Sequence, residues 1–370
     1  MVKSNAAINL YIWLAITIAI FGIVAYYRTQ INKKTANVNN MTSIYNKKAT
    51  QLSTITDDDP TLNDKIFNYY VASSYNSCCA GEFQDSYVTV DALKEVIRAG
   101  ARVLDFEIYS VDGKCVVAAS AFDNEHLKGT YNSLPIETVM KVVSENAFTY
   151  APQKNNDPLF LHFRIKSDRE DVYEPLTNSI KTHFGPKLME AMWGYEGRSG
   201  SNIDESRNLA FEPLMYIRNK VIIMASQKNN NFKKESNPFY ELVNFGSDSL
   251  YFTSLRNHSV QYTSSVDDMR GLNKDRLTLT MPDWSEVNTN PPAMLHQSLG
   301  CQMVCMNYQN MDKNMRYYLD FFNENGYAFV LKPPELRYIV VELECPLPPD
   351  PALSYAARSY ISAQGVPIIT

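Results

Sequence analysis

Glycine is scarce, 14 in 370 residues, and no Walker A spacing occurs, which argues against a phosphate-cradling glycine loop. Histidine is scarcer still, at five, and neither a GxSxG nor an HExxH pattern is present. The usual nucleophile-elbow and zinc-protease chemistries therefore have no signature here. The six cysteines, with Cys78 and Cys79 adjacent and Cys301 and Cys305 on one strand-like segment, lack the spacing of a disulfide framework or zinc site. They read as free thiols in a reducing compartment. A net charge of −5 without a basic block removes the electrostatic footprint of a nucleic-acid binder.

What is present is a globular composition, 45% hydrophobic and 20% charged, behind one long apolar run. Residues Ile8 to Tyr27 read INLYIWLAITIAIFGIVAYY, without a charge. As a helix these residues rise about 30 Å, the thickness of a bilayer's hydrocarbon core. Tyr11, Trp13, Tyr26 and Tyr27 suit the interfacial aromatic belts. A cleaved signal peptide is the alternative, but it calls for a shorter apolar core and a small-residue cleavage site, and Tyr-Tyr-Arg follows instead. Arg28, Lys33, Lys34, Lys47 and Lys48 outweigh Lys3, so the positive-inside rule places the C-terminal part on the cytoplasmic side. Residues 29–65, rich in Asn, Thr, Lys and Ser and closing on Asp57-Asp58-Asp59-Pro60, show no strong apolar period and predict a polar tether, a flexible or partly helical stalk.

Beyond it, strand and helix patterns alternate. Tyr69 to Ser74 reads as a strand, and Thr89 caps a helix over Val90–Ala99 that Gly100 stops. Ala101–Tyr109 alternates so that Asp105 and Glu107 share a face about 7 Å apart. Two acids on an inward face demand a cation, a proton or hydrogen-bond donors. Strands over Lys114–Ser120, Pro158–Ile165 and Asn219–Met224, with a helix over Ile136–Ala147 between, predict an α/β fold with a mainly parallel barrel. Near the end, Cys301–Asn307 reads as a buried strand. Met315, Tyr318, Leu319 and Phe322 follow at helical spacing, and Tyr327–Leu331 is a final strand expected to close the barrel, stopped by Lys332-Pro333-Pro334.

This last stretch, GCQMVCMNYQN through GYAFVLKPPELR, resembles the Y box of eukaryotic-type phosphoinositide-specific phospholipase C, where GCQMVALNFQT leads to GYVLKP. YYVASSYNSCCAGEF, AGARVLDFEIYSVDGKCVV, PLFLHFRIKS and RNKVIIMAS are similar to successive segments of that family's X box. The resemblance runs from about Tyr69 to Arg337, interrupted at Trp193–Arg207 and Gln227–Asp248. It implies a (β/α)8 TIM-like barrel of the phospholipase C-like phosphodiesterase superfamily behind one N-terminal transmembrane helix. The chain then divides into an anchor (1–28), tether (29–65), X-box-like half-barrel (66–226), X–Y linker (227–249), Y-box-like half-barrel (250–343) and C-terminal tail (344–370).

The resemblance also implies which positions carry the chemistry: two histidines and a calcium ion held by Asn, Glu, Asp and Glu. Here the first histidine falls on Tyr75 and the second near Ala119, while the asparagine is kept as Asn76. The acidic pair falls on Asp105 and Glu107, and the last metal-ligand glutamate on Arg164. A phosphate-gripping lysine falls on Met224, and an inositol-stacking tyrosine around Thr280. Arg164 is expected to act as a built-in counter-ion to Asp105 and Glu107, so that no cofactor is expected. His162 reads as a core histidine, and His183, His258 and His296 show no partner spacing. The function expected is a catalytically inactive, membrane-anchored scaffold or binding module for a lipid headgroup or a neighbouring membrane or capsid protein. The anchor, bare X–Y barrel and biased composition suit a large DNA virus and its virion inner membrane. The alternative is an active phosphoinositide phosphodiesterase with altered catalytic residues, with His126 as a substitute acid and Ca2+ held, if at all, by Asp105 and Glu107.

Overall fold

The structure, a computed structural model, describes residues 2–47, 52–56, 58, 63–123, 125–149, 155–194, 208–247, 249–339 and 359–369, with side chains from residue 8 onward. The loop after Trp193, most of the acidic run at 57–59 and the tail over 340–358 lie outside the described residues. Two compact units are present, 1–338 and 339–370. In the second, β12 (Ser359–Ile361) and β13 (Pro367–Ile369) form an exposed antiparallel hairpin.

The first unit begins with helix α1 (Val2–Lys47). Then come β1 (Tyr69–Ser74), α2 (Val90–Arg98), β2 (Val103–Val111), β3 (Lys114–Ala118), β4 (Leu134–Pro135) and α3 (Ile136–Asn146). β5 (Leu159–Ile165), α4 (Tyr173–Phe184), β6 (Val221–Ser226), β7 (Phe245–Gly246), β8 (Phe252–Arg256), α5 (Asn257–Gln261) and α6 (Val266–Asp275) follow. β9 (Leu277–Met281), α7 (Ala293–Ser298), β10 (Met303–Met306), α8 (Lys313–Asn325) and β11 (Phe329–Leu331) complete it.

Eight strands pair in parallel in the order β7-β6-β5-β2-β1-β10-β9-β8, making a nearly closed barrel wrapped by helices. The open seam lies between β7 and β8, where the rings of Phe245 and Phe252 pack 6.2 Å apart. β5 is buried along its whole length, as expected of a parallel strand covered on both faces. Thr89 caps α2 by accepting from the Asp91 amide. Asp312 caps α8 in the same way for Met315, and Gly326, at φ 76°, ends α8.

Two expectations need correction. The strand after α8 does not close the barrel: β11 runs antiparallel against the lower half of β1, while the upper half of β1 pairs with β2. The segment after the apolar run is helical to Lys47, within the partly helical stalk expected, but it packs on the barrel rather than standing free. α1 continues unbroken to Lys47, with Met41 and Tyr45 buried in the main core and Val38 and Ile44 packed against it. Tyr45 donates to the Tyr308 carbonyl at 2.6 Å, and Thr42 to Glu95 at 3.0 Å. Val38, Met41 and Tyr45 sit at helical spacing, but the stripe is too short among Asn, Thr and Lys to stand out in the sequence. Farther on, Ile55 is buried and its amide donates to Asp157 at 2.7 Å.

At the foot of the barrel, the N-terminal end of its strands, Gln302 satisfies four backbone groups. Its amide donates to the carbonyls of Phe67, Asn273 and Arg276 at 3.0, 2.8 and 2.9 Å, and its oxygen accepts from the Thr278 amide at 2.9 Å. Buried Lys332 donates to the Asn273 carbonyl at 2.8 Å.

Candidate functional site

The C-terminal ends of the strands form the mouth of the barrel, where a barrel of this kind presents its chemistry. Because β2 and β5 pair in register, Asp105 lies beside His162 and Glu107 beside Arg164. All four side chains are buried. The Arg164 guanidinium lies between the two acids. Its Nε and Nη2 donate to Asp105 at 2.9 and 2.6 Å, its Nη1 donates to Glu107 at 2.5 Å, and Nη2 also reaches the Asn76 side-chain oxygen at 2.8 Å.

The remaining acceptor capacity is also taken. Asp105 accepts from His162 Nδ1 at 2.8 Å and from the Asn76 amide at 2.9 Å. Glu107 accepts from the Tyr109 hydroxyl at 2.7 Å and the Ser120 amide at 2.9 Å. Burial alone pushes the Asp105 carboxyl up. The Arg164 charge, with hydrogen bonds from His162 and Arg164, outweighs it and holds the group below the usual carboxylate range. For His162, burial wins over the pull of Asp105 and lowers its pKa, so the ring is neutral. Its Nδ1–H donates to Asp105, and Nε2 accepts from the Ser226 hydroxyl at 2.8 Å.

Tyr75, where the resemblance implies a histidine, is buried. The Arg164 guanidinium stacks 4.4 Å from its ring centre, and its hydroxyl accepts from Arg256 at 3.0 Å. Burial raises the phenol's pKa above its ordinary value, against the lowering influence of Arg164 and Arg256. Ala119 offers only its backbone, its carbonyl accepting from Gly129 and Thr130. His126 stands on the rim, half exposed, at φ 71°, with Nε2 3.3 Å from Asp168. Among the described residues, Glu125, His126 and Asp168 form one group whose ligand atoms lie within 4.8 Å of one another.

Met224 and Thr280 do not line the mouth. Met224 is buried in the barrel wall, and Thr280 faces His296, hydrogen-bonded to it at 2.8 Å. His296 does have partners, since its Nε2 lies 3.0 Å from the Asn257 side-chain oxygen. Burial lowers its pKa to about 4. Ser226 and Met281, two and one residues farther toward the strand ends, do line the mouth.

A pocket of ≈ 380 Å³ opens there, with Arg164 at its floor. Lys166, Lys228 and Arg256 bring positive charge to its walls, and Asp123, Glu125 and Trp284 complete the rim. Trp284 is sandwiched, 3.6 Å from Arg256 and 4.4 Å from Lys166, while Lys166 also pairs with Asp123 at 2.9 Å. The sequence reading missed Arg256, Lys166 and Trp284. Their signal was position: the first ends β8, the second follows β5 and the third follows β9, all at the mouth.

Residues 217–335 match the family model for the phosphatidylinositol-specific phospholipase C Y domain. No curated protein sequence matches the chain. Among solved structures, PLC21 from L. pealei superposes with a TM-score of 0.60 at 17% identity, over 74% of this chain and 38% of that one. PLC21 from S. officinalis does so at 0.58 and 18%, over 74% of this chain and 37% of its own. The chain thus spans well under half the length of these relatives. Residues 217–335 thus match the phosphatidylinositol-specific phospholipase C Y domain, and the barrel as a whole shares the fold of these phospholipase C structures.

Proposed function

We propose that this barrel is a membrane-anchored binding module that has exchanged metal-assisted phosphodiester cleavage for recognition of an anionic headgroup. The observation that carries the reading is the Arg164 guanidinium between Asp105, Glu107 and Asn76. Calcium asks for six to eight oxygens at roughly 2.3–2.6 Å. Here the four carboxylate oxygens face a fixed cation and neutral donors, and the arrangement does not fit the ion as it stands. The general acid and base are missing as well. Tyr75 is a buried phenol with a raised pKa and Ala119 has no side-chain proton to give, where each lost group costs about 10²–10⁴-fold in rate.

The pocket retains what binding needs: room for a phosphorylated ring, three cations beyond Arg164 and the flat face of Trp284. The apolar stretch of α1, exposed throughout and of mean hydropathy 2.2, is read as the membrane span, with the barrel on the cytoplasmic side. A scaffold role toward a neighbouring membrane or capsid protein, and a home in a virion inner membrane, belong to the same proposal and rest on sequence character alone.

Turnover of phosphatidylinositol in vesicles, with and without calcium, tests the reading. The wild-type chain is expected to be inactive in both, and Arg164→Glu combined with Tyr75→His and Ala119→His to gain calcium-dependent cleavage. Wild-type turnover abolished by His126→Ala would instead establish an altered phosphodiesterase.

A further inference from the structure

We infer that α1 is a rigid strut that holds the mouth of the barrel against the leaflet its own apolar segment enters. This rests on reading Ile8–Tyr27 as a membrane span and adds a direction to it. The contacts of α1 and the segment after it descend along the barrel from mouth to foot, except that Tyr45 reaches back to the Tyr308 carbonyl just past the end of β10. Tyr26, at the end of the apolar stretch, meets Tyr131 hydroxyl to hydroxyl at 3.3 Å, and Tyr131 belongs to the loop between β3 and β4 at the mouth. Lys33 then pairs with Glu82 at 4.0 Å, and Lys34 lies 5.8 Å over the Tyr87 ring, both partners in the loop that leaves the C-terminal end of β1. Thr42 next reaches Glu95, midway down α2.

Past the helix, the Ser53 amide donates to the Gly326 carbonyl, ahead of β11, and the Ile55 amide to Asp157, ahead of β5. These partners lie at the foot. The chain therefore descends from mouth to foot, and the apolar segment leaves from the mouth end. An anchor leaving from the foot would reverse this order.

Distance makes the consequence specific. From Tyr27 to the Lys33–Glu82 pair is six residues of helix, about 9 Å. The headgroup layer on one side of a bilayer is roughly 5–8 Å deep. The mouth loops consequently stand at headgroup level without any hinge. The rim is suited to that level. Phe122 and Leu127, in the loop that touches Tyr26, are 43% and 67% exposed, and Lys128 sits beside them. The adjoining pocket carries Arg256, Lys166 and Lys228 beside Glu125 and Asp123, the latter paired to Lys166, and has Arg164 at its floor. Apolar tips beside clustered cations complement an anionic lipid surface. The geometry assigns this rim to the bilayer, and the headgroup the pocket takes to the same leaflet.

Nitroxide labels on the full-length chain test this in vesicles of phosphatidylcholine with phosphatidylinositol. The five described native cysteines are buried, so Cys345→Ser leaves a background for Leu127→Cys at the rim and Met192→Cys near the foot, two residues past Glu190, which bonds Lys220 just ahead of β6. The expected result is a several-fold higher ratio of oxygen to aqueous nickel-chelate collisions at position 127 than at 192. A flexible Gly-Ser insertion of about twelve residues after Arg28 should abolish the difference while the protein stays membrane-bound. Equal aqueous exposure at both positions in protein that resists carbonate extraction would overturn the strut and leave the span intact. Immersion that survives the insertion would show that the rim, not α1, holds the mouth down. Release by carbonate would remove the span itself, and the inference with it.

Discussion

The barrel carries two buried polar networks, one at its foot and one at its mouth. At the foot, Gln302, Lys332 and Asn273 bond mostly to backbone, holding β9, β10 and the entry to β1 in register. The mouth differs: Asp105, Glu107, Arg164, His162 and Asn76 bond mostly to one another. Gln302 and Lys332 at the foot lie within the stretch that matches the Y domain, while Tyr75, Asp105 and Arg164 at the mouth lie outside it. A side chain that satisfies backbone groups has its identity fixed by the fold. Buried carboxylates need a cation close by. Arg164 supplies one from within the chain.

The largest effect expected from breaking the comparison is at Arg164. Arg164→Met leaves Asp105 and Glu107 buried without a counter-charge and should cost about 3–5 kcal/mol in denaturant unfolding of the full chain. At the foot, Gln302→Leu strands the Phe67 and Arg276 carbonyls and the Thr278 amide but no charge, while the Asn273 carbonyl keeps Lys332. About 1–3 kcal/mol is expected by the same measurement. A foot variant that costs more than the mouth variant would invert the account.

Acid and base should separate the two networks as well. The folded-state pKa of Asp105 lies below its unfolded value near 4. Its contribution is therefore fully present above about pH 4 and lost as pH falls toward the folded pKa. Arg164→Met should flatten that acid limb in a pH series of unfolding curves. Lys332 at the foot is pushed down to about 7 by burial, against about 10.4 unfolded. Between those values the unfolded chain binds more protons, so stability rises with pH across the interval. Lys332→Met should remove the rise.

Smaller changes concern the pocket. Arg256→Ala removes a wall cation and the support of Trp284, and about tenfold weaker binding of an inositol phosphate is expected by calorimetry. His126→Ala, on the exposed rim, should change that binding little.

Much of the architecture was legible in the sequence because parallel strands buried on both faces leave continuous apolar runs, as in β5, and because Thr89 and Gly100 bracket α2. β11 was assigned to barrel closure because a short apolar strand carries no mark of its partner or direction. The packing of α1 beyond the apolar run was missed because Val38, Met41 and Tyr45, three apolar side chains over about two turns among Asn and Lys, do not announce burial. At the site, Asp105, Glu107 and Arg164 could be named from spacing and resemblance, since strand periodicity places alternate residues on one face. Thr280 sits on the strand face turned away from the mouth and Met224 on the inward face below it, and the register that brings Ser226 and Met281 to the mouth comes from pairing. Arg256 and Trp284 are far apart in the chain from the acidic pair and meet the site only through the barrel's curvature.

Calcium calorimetry on the wild-type chain addresses the central claim most directly. With Arg164 fixed between Asp105 and Glu107, no saturable heat is expected up to about 1 mM calcium, the weak end of protein calcium sites. One ion bound per chain at micromolar concentration, lost in Asp105→Asn, would mean that Arg164 leaves the acids and that calcium takes its place.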